Sequence, residues 1–219
     1  MRTADVAWAI GQHTISPVMR RIAPLRVYGV ENIPREGGVV LALNHFSWLD
    51  PFSFGAASPR VIYYMAKAEL HRVPGLGRFV RAFGAFSVRR GESDREAIRI
   101  ARDLVQRGEA LGLFVEGTRQ LSGVPGEPKP GASMIALQEH VPVVPAAIHG
   151  SQFWRPGSFQ PVSVAWGEPL ELGGLPASGA GYREASGEIG HAIRTLWEFL
   201  VDMHELGRPE AIPPAVGRR

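Results

Sequence analysis

A histidine and an aspartate five residues apart form the first pair in this chain whose chemistry suggests a function. His45 and Asp50 lie in the segment 44–50 (NHFSWLD), directly after the apolar run Val39–Leu43. An imidazole titrates near neutral pH and can remove a proton as a general base. A carboxylate that accepts a hydrogen bond from the other ring nitrogen fixes the tautomer and stabilises the imidazolium. The spacing also arises by chance, so the pair alone is a weak signal for a base and its orienting partner.

The usual protein nucleophiles are missing beside this base. The chain contains no cysteine and no G-x-S-x-G elbow. Ser47 lies only two residues from His45, and we do not expect it to attack a substrate. The simplest use of the pair is to activate a hydroxyl group of the substrate, whose oxygen then attacks a thioester. Activation of water, which would make the protein a hydrolase, is the alternative.

A second polar cluster, Glu116-Gly117-Thr118-Arg119, follows the apolar run 111–115. Glycine allows a ligand to approach the backbone closely, and the planar fork of the arginine suits a phosphate group. Because a carboxylate repels phosphate, we expect Glu116 to contact substrate hydroxyl groups or to pair with an arginine. An ordinary loop salt bridge between Glu116 and Arg119 is the alternative.

Both clusters require a sheet that places them, and the apolar pattern predicts one. The strand-length runs are continuous rather than alternating, which is typical of strands covered on both faces; they are 39–43, 61–66, 86–88, 111–115 and 143–148. Ser93 and Glu96 form a capping box that begins a helix ending at Gly108. Further helices are predicted at 132–140 and 182–206. Alternating strands and helices predict a single-domain α/β sandwich.

Composition supports a folded domain and excludes several kinds of site. Of the 219 residues, 45% are hydrophobic and 21% are charged, which is a balance typical of globular chains. The lack of cysteine excludes a disulfide framework and a thiolate zinc site, and it agrees with a cytoplasmic setting. The apolar runs are too short for a transmembrane helix, and the N-terminus does not resemble a signal peptide. A net charge of +3 does not indicate a nucleic-acid-binding protein.

Two segments have the pattern of a surface that faces lipid. Residues 4–25 are amphipathic, and Pro17 predicts either two short helices or a kink there. A helix packed on its own core is the alternative for this segment. The stretch 70–90 carries five arginines and no acidic residue, which suits phosphate, anionic lipid or an acidic carrier. Of the 24 basic residues in the chain, only Lys67 and Lys129 are lysines.

Taken together, these segments resemble the glycerophospholipid acyltransferase family, typified by 1-acylglycerol-3-phosphate O-acyltransferase. NHFSWLD at 44–50 is similar to the family pattern NHxSxxD, and FVEGTR at 114–119 is similar to FPEGTR. GAFSVRR at 84–90 resembles a family block that begins with glycine and ends with an arginine, which is Arg90 here. VVPAAI at 143–148 resembles the family's apolar strand with a V-P pair. Lys129-Pro130-Gly131 resembles the lysine–x–glycine that precedes the helix between the third and fourth blocks of the family. The four blocks follow the family's order.

The resemblance implies a role for each matching residue. His45 is the base, Asp50 orients it, and Arg90 contacts the phosphate of the acceptor. The rest of the acceptor site consists of Glu116, Gly117, Thr118 and Arg119. Two departures leave details open, because Val115 replaces the usual proline and Arg89 stands where the family often has an acid.

The resemblance also implies a fold and a division of the chain. The expected fold is an α/β sandwich of the glycerol-phosphate acyltransferase type, in which a mixed sheet is flanked by helices. Residues 1–26 form an N-terminal amphipathic segment at the membrane interface, 27–207 the acyltransferase domain, and 208–219 a tail.

The implied reaction moves a fatty acyl chain from acyl-CoA or acyl-carrier protein to the free hydroxyl of a lysophospholipid. The first candidate acceptor is 1-acylglycerol-3-phosphate, which would give phosphatidic acid; another lysolipid or a glycolipid is the alternative. No metal and no cofactor are expected besides the acyl donor. The expected partner is a lipid surface at the cytoplasmic face of the cell membrane, and nucleic acid is not expected. A non-catalytic lipid-binding protein is a more distant alternative.

Overall fold

The computed structural model describes residues 3–67, 86–88 and 95–210. Its helices are α1 (Thr3–Ile22), α2 (Asp50–Ala57), α3 (Arg95–Gln106), α4 (Gly131–Glu139) and α5 (Gly179–Glu205). Its strands are β1 (Leu25–Tyr28), β2 (Val39–Leu43), β3 (Ile62–Lys67), β4 (Phe86–Val88), β5 (Ala110–Phe114), β6 (Val143–His149) and β7 (Val162–Trp166). Arg90, the other arginines of the basic stretch and Ser93 of the predicted capping box lie outside the described residues.

The described strands form a mixed sheet in the order β1-β7-β6-β2-β5-β3-β4. Neighbouring strands are parallel, except that β6 and β7 are antiparallel. Strand β2 lies between β6 and β5, with Leu43 opposite Ala146 on one side and opposite Phe114 on the other. The C-terminal ends of these three strands therefore meet at one edge of the sheet.

Helices cover both faces of the sheet, which explains the continuously apolar strands. Val39, Leu41 and Leu43 pack on the face that α1 and α2 cover, whereas Val40 and Ala42 pack on the face of α3, α4 and α5. All the side chains of β2 are fully buried. Burial of apolar surface contributes about 25 cal/mol per Å² and is the main force holding such layers together. The prediction of an α/β sandwich with a mixed sheet flanked by helices is confirmed.

The N-terminal segment forms one helix, because α1 continues through Pro17. Contacts with α2 hold it on both sides of the proline: Gln12 Nε2 donates to Gly55 O at 2.9 Å, and Arg20 Nη2 donates to Ala56 O at 3.1 Å. These contacts help to offset the lost backbone hydrogen bond, which typically costs about 3 kcal/mol. The alternative of two short helices is wrong. Neither α1 nor any other described helix is long and apolar enough to cross a membrane.

The sequence pattern does not predict β1 and β7, which pair with each other at one end of the sheet. Strand β1 has four residues, of which only Tyr28 is fully buried. Strand β7 contains Ser163, which is buried and whose Oγ lies 2.9 Å from Nε2 of His204. A polar residue is tolerated in the core when the tertiary fold supplies its hydrogen-bond partner. The other predicted strands and helices agree with the structure to within three residues at each described end.

Candidate active site

The pairing of β2 with β5 brings the two polar clusters together. Leu43 and Phe114, the last residues of these strands, lie opposite each other in the sheet. The loops that follow begin at Asn44 and Val115, so both leave the sheet at the same edge. The N–H of Val115 donates to Leu43 O at 3.0 Å and extends the pairing to the start of the second loop. Ligands of open α/β sheets bind at this kind of edge.

The turn after β2 places His45 against Asp50 within a few residues of chain. His45 Nδ1 lies 2.8 Å from Asp50 Oδ2. The same oxygen accepts the backbone N–H groups of Phe46 at 2.6 Å and Ser47 at 2.7 Å. Ser47 Oγ in turn accepts the N–H of Leu49 at 3.3 Å, which shapes the start of α2. Asp50 is completely buried, and its three bonds fix the carboxylate that orients the base.

The hydrogen bond to Asp50 decides which nitrogen of His45 can act. An ionised carboxylate only accepts hydrogen bonds, so Nδ1 carries the proton and Nε2 has the free lone pair. The described residues give Nε2 no hydrogen-bond partner. The ring stacks on Phe114 at 4.1 Å between centroids, and the side chain keeps 14% of its surface exposed. Nε2 is therefore the atom that can take a proton from a substrate.

Glu116 links the two loops from a buried position. Its Oε2 accepts the backbone N–H of His45 at 2.8 Å, and its Oε1 accepts the N–H of Gly126 at 2.9 Å. Only 4% of the residue is exposed, and within the described ranges its carboxylate forms no ion pair with an arginine. Glu116 thus holds the backbone of His45, a role that the sequence did not suggest, and its predicted contact with substrate hydroxyl groups stays a prediction.

The environment of Glu116 makes its charge sensitive to pH. Burial raises the pKa of its carboxyl group to about 7, and the negative charge of Asp50 acts in the same direction. The two backbone hydrogen bonds lower the pKa, since they favour the ionised form, but burial outweighs them. The support beneath His45 therefore changes protonation near neutral pH.

The loop after β5 brings the predicted phosphate-binding residues beside the base. Gly117 has a φ of 72°, a conformation that favours glycine. The N–H of Gln120 donates to His45 O at 2.7 Å and closes the loop over the histidine. Thr118 and Arg119, between these two points, are exposed to solvent. All the predicted site residues except Arg90, which lies outside the described residues, are thus gathered at one edge of the sheet.

Asn44 supports the site, although no separate role was predicted for it. It is fully buried, and its Oδ1 accepts the N–H of Ile148 at 2.8 Å while its Nδ2 donates to Ile148 O at 3.2 Å. These bonds tie the end of β2 to the end of β6 just before the base. A polar side chain directly after a fully apolar strand is the signal that could have revealed it.

The site brings together the groups that acid–base chemistry requires. No three His, Asp or Glu side chains in the described ranges are grouped so that they could hold a metal ion. What the site offers is a histidine with one free nitrogen, a buried carboxylate that orients it, and an exposed arginine loop alongside. Such an arrangement can deprotonate a hydroxyl group held near an anion.

The comparison with known families decides the family of the chain. A sequence model of the family described as Acyltransferase matches residues 24–149, which is more than half of the chain and includes both loops. The chain belongs to the acyltransferase family. The resemblance stated from the motifs is confirmed, whereas the domain limits at residues 26 and 207 stay a prediction.

Three curated relatives of this acyltransferase carry the same name. It is 35% identical over 151 residues to the 1-acyl-sn-glycerol-3-phosphate acyltransferase of Bacillus subtilis (strain 168), a match that covers 67% of this chain and 73% of the relative. Proteins of the same name from Limnanthes douglasii and Borreliella burgdorferi are 29% and 30% identical. Those two matches cover 67% and 57% of this chain and 54% and 51% of the relatives, so the chain spans about half of their length.

A solved structure shares the fold of this acyltransferase. The crystal structure of the 1-acyl-sn-glycerophosphate (LPA) acyltransferase PlsC from Thermotoga maritima aligns with a TM-score of 0.68 over 97% of this chain and 86% of that chain. The sequence identity is 24%, so this likeness supports the fold alone. The family match and the Bacillus relative identify the protein as an O-acyltransferase.

Proposed function

We propose that this acyltransferase moves a fatty acyl chain from a thioester donor to the free hydroxyl of 1-acylglycerol-3-phosphate, with His45 as the general base. The observation that carries the proposal is the 2.8 Å contact between His45 Nδ1 and Asp50 Oδ2, which leaves Nε2 free at the edge of the sheet. The names of the curated relatives supply the candidate acceptor.

In the proposed reaction, His45 Nε2 removes the proton from the acceptor hydroxyl as the oxygen bonds to the carbonyl carbon of the thioester. The tetrahedral intermediate then collapses and the carbon–sulfur bond breaks. The departing thiolate takes the proton back from the imidazolium, so atoms and charge balance. Asp50 stays ionised and stabilises the imidazolium through Nδ1. A positioned base of this kind typically accounts for about 10²–10⁴-fold in rate.

The loop after β5 supports an acceptor that carries a phosphate. Arg119 is exposed next to Gln120, whose N–H is bonded to the backbone of the base. A guanidinium can bind two phosphate oxygens at once and thereby fix the position of the neighbouring hydroxyl. Arg90 is a second proposed phosphate ligand on the strength of the resemblance alone.

The main test incubates the purified protein with a panel of lysolipids and with two donors, acyl-CoA and acyl-carrier protein, and identifies the products by mass. We expect acylated lipid with 1-acylglycerol-3-phosphate and none with the His45→Ala variant. Free fatty acid without an acylated product would identify a hydrolase. Transfer only to another lysolipid or to a glycolipid would correct the acceptor, and transfer at the wild-type rate by His45→Ala would rule out the base.

Exposed apolar side chains on the loops at the same edge of the sheet as the site support docking on a lipid surface. We call four of them the rim: Trp48, Leu121, Phe153 and Phe159. They are 54%, 91%, 60% and 52% exposed, respectively. The guanidinium of Arg21, in the last turn of α1, lies 5.9 Å from the ring centroid of Phe159 and joins the rim to that helix. Large apolar side chains with neighbouring arginines suit a membrane interface.

The outer side of α1 continues this surface with exposed residues at helical spacing, namely Val6, Ile10 and Val18. We therefore propose peripheral binding at the cytoplasmic face of the cell membrane, where anionic lipids attract arginine and the lysolipid acceptor resides. Co-sedimentation with vesicles containing anionic lipid tests it. We expect binding that weakens by about tenfold or more in a Trp48→Ala/Phe153→Ala double variant, because each ring loses roughly 1.5–3 kcal/mol of burial. Equal binding by the wild type and the double variant would contradict the role of the rim.

A further inference from the structure

The side chain of Lys129 lies directly against Gly117 in the loop beside the base. A Cβ atom placed on Gly117 would stand 3.0 Å from Lys129 Nζ, 3.2 Å from Cδ and 3.3 Å from Cε. The backbone holds this approach, because the N–H of Lys129 donates to Val115 O at 2.8 Å. The absence of a side chain at Gly117 thus makes room for the ammonium group next to Thr118 and Arg119.

The ammonium group of Lys129 has no acidic partner in the part of the chain that the structure describes. The acid closest in sequence, Glu127, lies 3.6 Å from Arg194 instead. The acid next to Gly117 is Glu116, and both of its oxygens accept backbone N–H groups. The positive charge at Lys129 is therefore available to a ligand at this loop.

Further hydrogen-bond donors lie on the same stretch. The backbone N–H groups of Thr118 and Arg119 donate to no atom within the described ranges, and both residues are exposed. Successive free backbone amides attract anions. Together with the ammonium of Lys129 beside Gly117, these N–H groups place several donors at one loop.

The residue type at position 129 fits this location. The chain uses arginine at every basic position except Lys67 and Lys129. A lysine stem is narrow and its ammonium is a compact point charge, whereas a guanidinium is planar and wide. Because Lys129 already occupies the space that a Cβ atom of Gly117 would need, the wider group of an arginine would have to move away from the loop.

We propose that Lys129 is a second phosphate-binding cation of the acceptor site, which acts beside Arg119 and makes the enzyme prefer an acceptor bearing a phosphate monoester over a neutral one. This inference rests on the proposed function, since it specifies how that site selects its acceptor. A phosphate monoester carries close to two negative charges at neutral pH, so two cations and free amides match it better than a single arginine.

The kinetic test compares Lys129→Met, which keeps most of the stem but loses the charge, with Arg107→Met as a control. Arg107 is exposed before β5, at the opposite end of that strand from the site. We expect Lys129→Met to raise the KM for 1-acylglycerol-3-phosphate roughly ten- to hundredfold. The KM for acyl-CoA and the rate with 1-monoacylglycerol as a neutral acceptor should stay within about twofold of wild type, and Arg107→Met should change none of them. A rise in the KM for acyl-CoA alone would instead assign Lys129 to the phosphates of the donor and overturn the proposal.

A binding measurement separates this inference from the proposed reaction. Titration of glycerol 3-phosphate into the wild type and Lys129→Met, followed by phosphorus NMR, requires no turnover. We expect the same roughly ten- to hundredfold weakening, with Lys129→Gln behaving like Lys129→Met and circular dichroism unchanged in both. Equal affinity of wild type and variants, or no binding by the wild type at millimolar concentration, would refute the role of Lys129. Lysine-dependent binding without acyl transfer to any acceptor would refute the proposed reaction and leave the phosphate site standing.

Discussion

The turn that carries the base and the loop that faces the acceptor lie side by side but are built in opposite ways. In the turn, Asp50 is buried and one of its oxygens accepts three hydrogen bonds within six residues of chain. In the loop, Thr118 and Arg119 are exposed, and their backbone N–H groups have no partner among the described residues. This difference fits the proposed function, in which the base is fixed before substrate arrives and the groups that bind the acceptor are left free to meet it.

Replacement of His45 by alanine should have the largest effect, because it removes the base from the rigid turn. We expect kcat to fall by about 10²–10⁴-fold while the thermal unfolding profile stays close to that of wild type. Asp50→Asn should also be severe, since an asparagine can present its amide nitrogen to donors that now meet the carboxylate. Steady-state kinetics and calorimetry on both variants check this. A mild effect of Asp50→Asn would mean that orientation of the ring matters less than the structure suggests.

Glu116→Gln tests whether the support between the two regions is needed. Glutamine has a single acceptor oxygen, so the N–H of His45 or that of Gly126 must lose its acceptor. We expect a loss of about 1–3 kcal/mol in the free energy of unfolding and roughly tenfold lower kcat. Urea unfolding and kinetics measure the two effects. Wild-type values for both would show that the link is dispensable.

The pH dependence of stability should also change in Glu116→Gln. The pKa of Glu116 is raised to about 7 in the folded protein, from 4.5. Between these values the folded state binds more protons than the unfolded state, so the contribution of Glu116 to stability is fully present below about pH 4.5 and is lost as pH rises to about 7. The loss amounts to about 3 kcal/mol. Between pH 4 and pH 8, the midpoint of urea unfolding should therefore decline less in Glu116→Gln than in the wild type. Parallel pH profiles of the two proteins would contradict the raised pKa of Glu116.

Arg119→Ala should affect the acceptor and spare the chemistry. We expect the KM for 1-acylglycerol-3-phosphate to rise about tenfold or more, because a charge-assisted hydrogen bond is lost, while kcat changes by less than about threefold. Initial rates over a range of acceptor concentrations measure both constants. A fall in kcat with an unchanged KM would instead show that Arg119 acts in the chemical step, as proposed for His45, and not in acceptor binding.

Ser47→Ala should have the smallest effect. Its hydroxyl accepts only a 3.3 Å bond from the N–H of Leu49, so we expect at most about 1 kcal/mol of lost stability and unchanged transfer. The same kinetic assay checks it. Abolished activity would instead point to an acyl-serine intermediate.

Predictions from the sequence succeeded where the deciding contacts are local or purely apolar. The fully buried run Val39–Leu43 could be predicted as a strand covered on both faces because all its residues are apolar. They failed for β1 and β7, whose burial depends on partners far along the chain: Leu25 pairs with Val162. The bond from Glu116 to the backbone of His45 could not be predicted for the same reason, since the two residues lie 71 positions apart.

The sequence by itself determined the contact between His45 and Asp50, because one turn of the chain can join them, and it determined the family through the order of its motifs. Only the tertiary structure decided which loop lies beside that pair. The adjacency of β2 and β5, the position of Glu116 beneath the base and the contact of Lys129 with Gly117 all depend on the strand order. Strand order is set by the packing of the whole sheet between its helices, and no short stretch of residues encodes it.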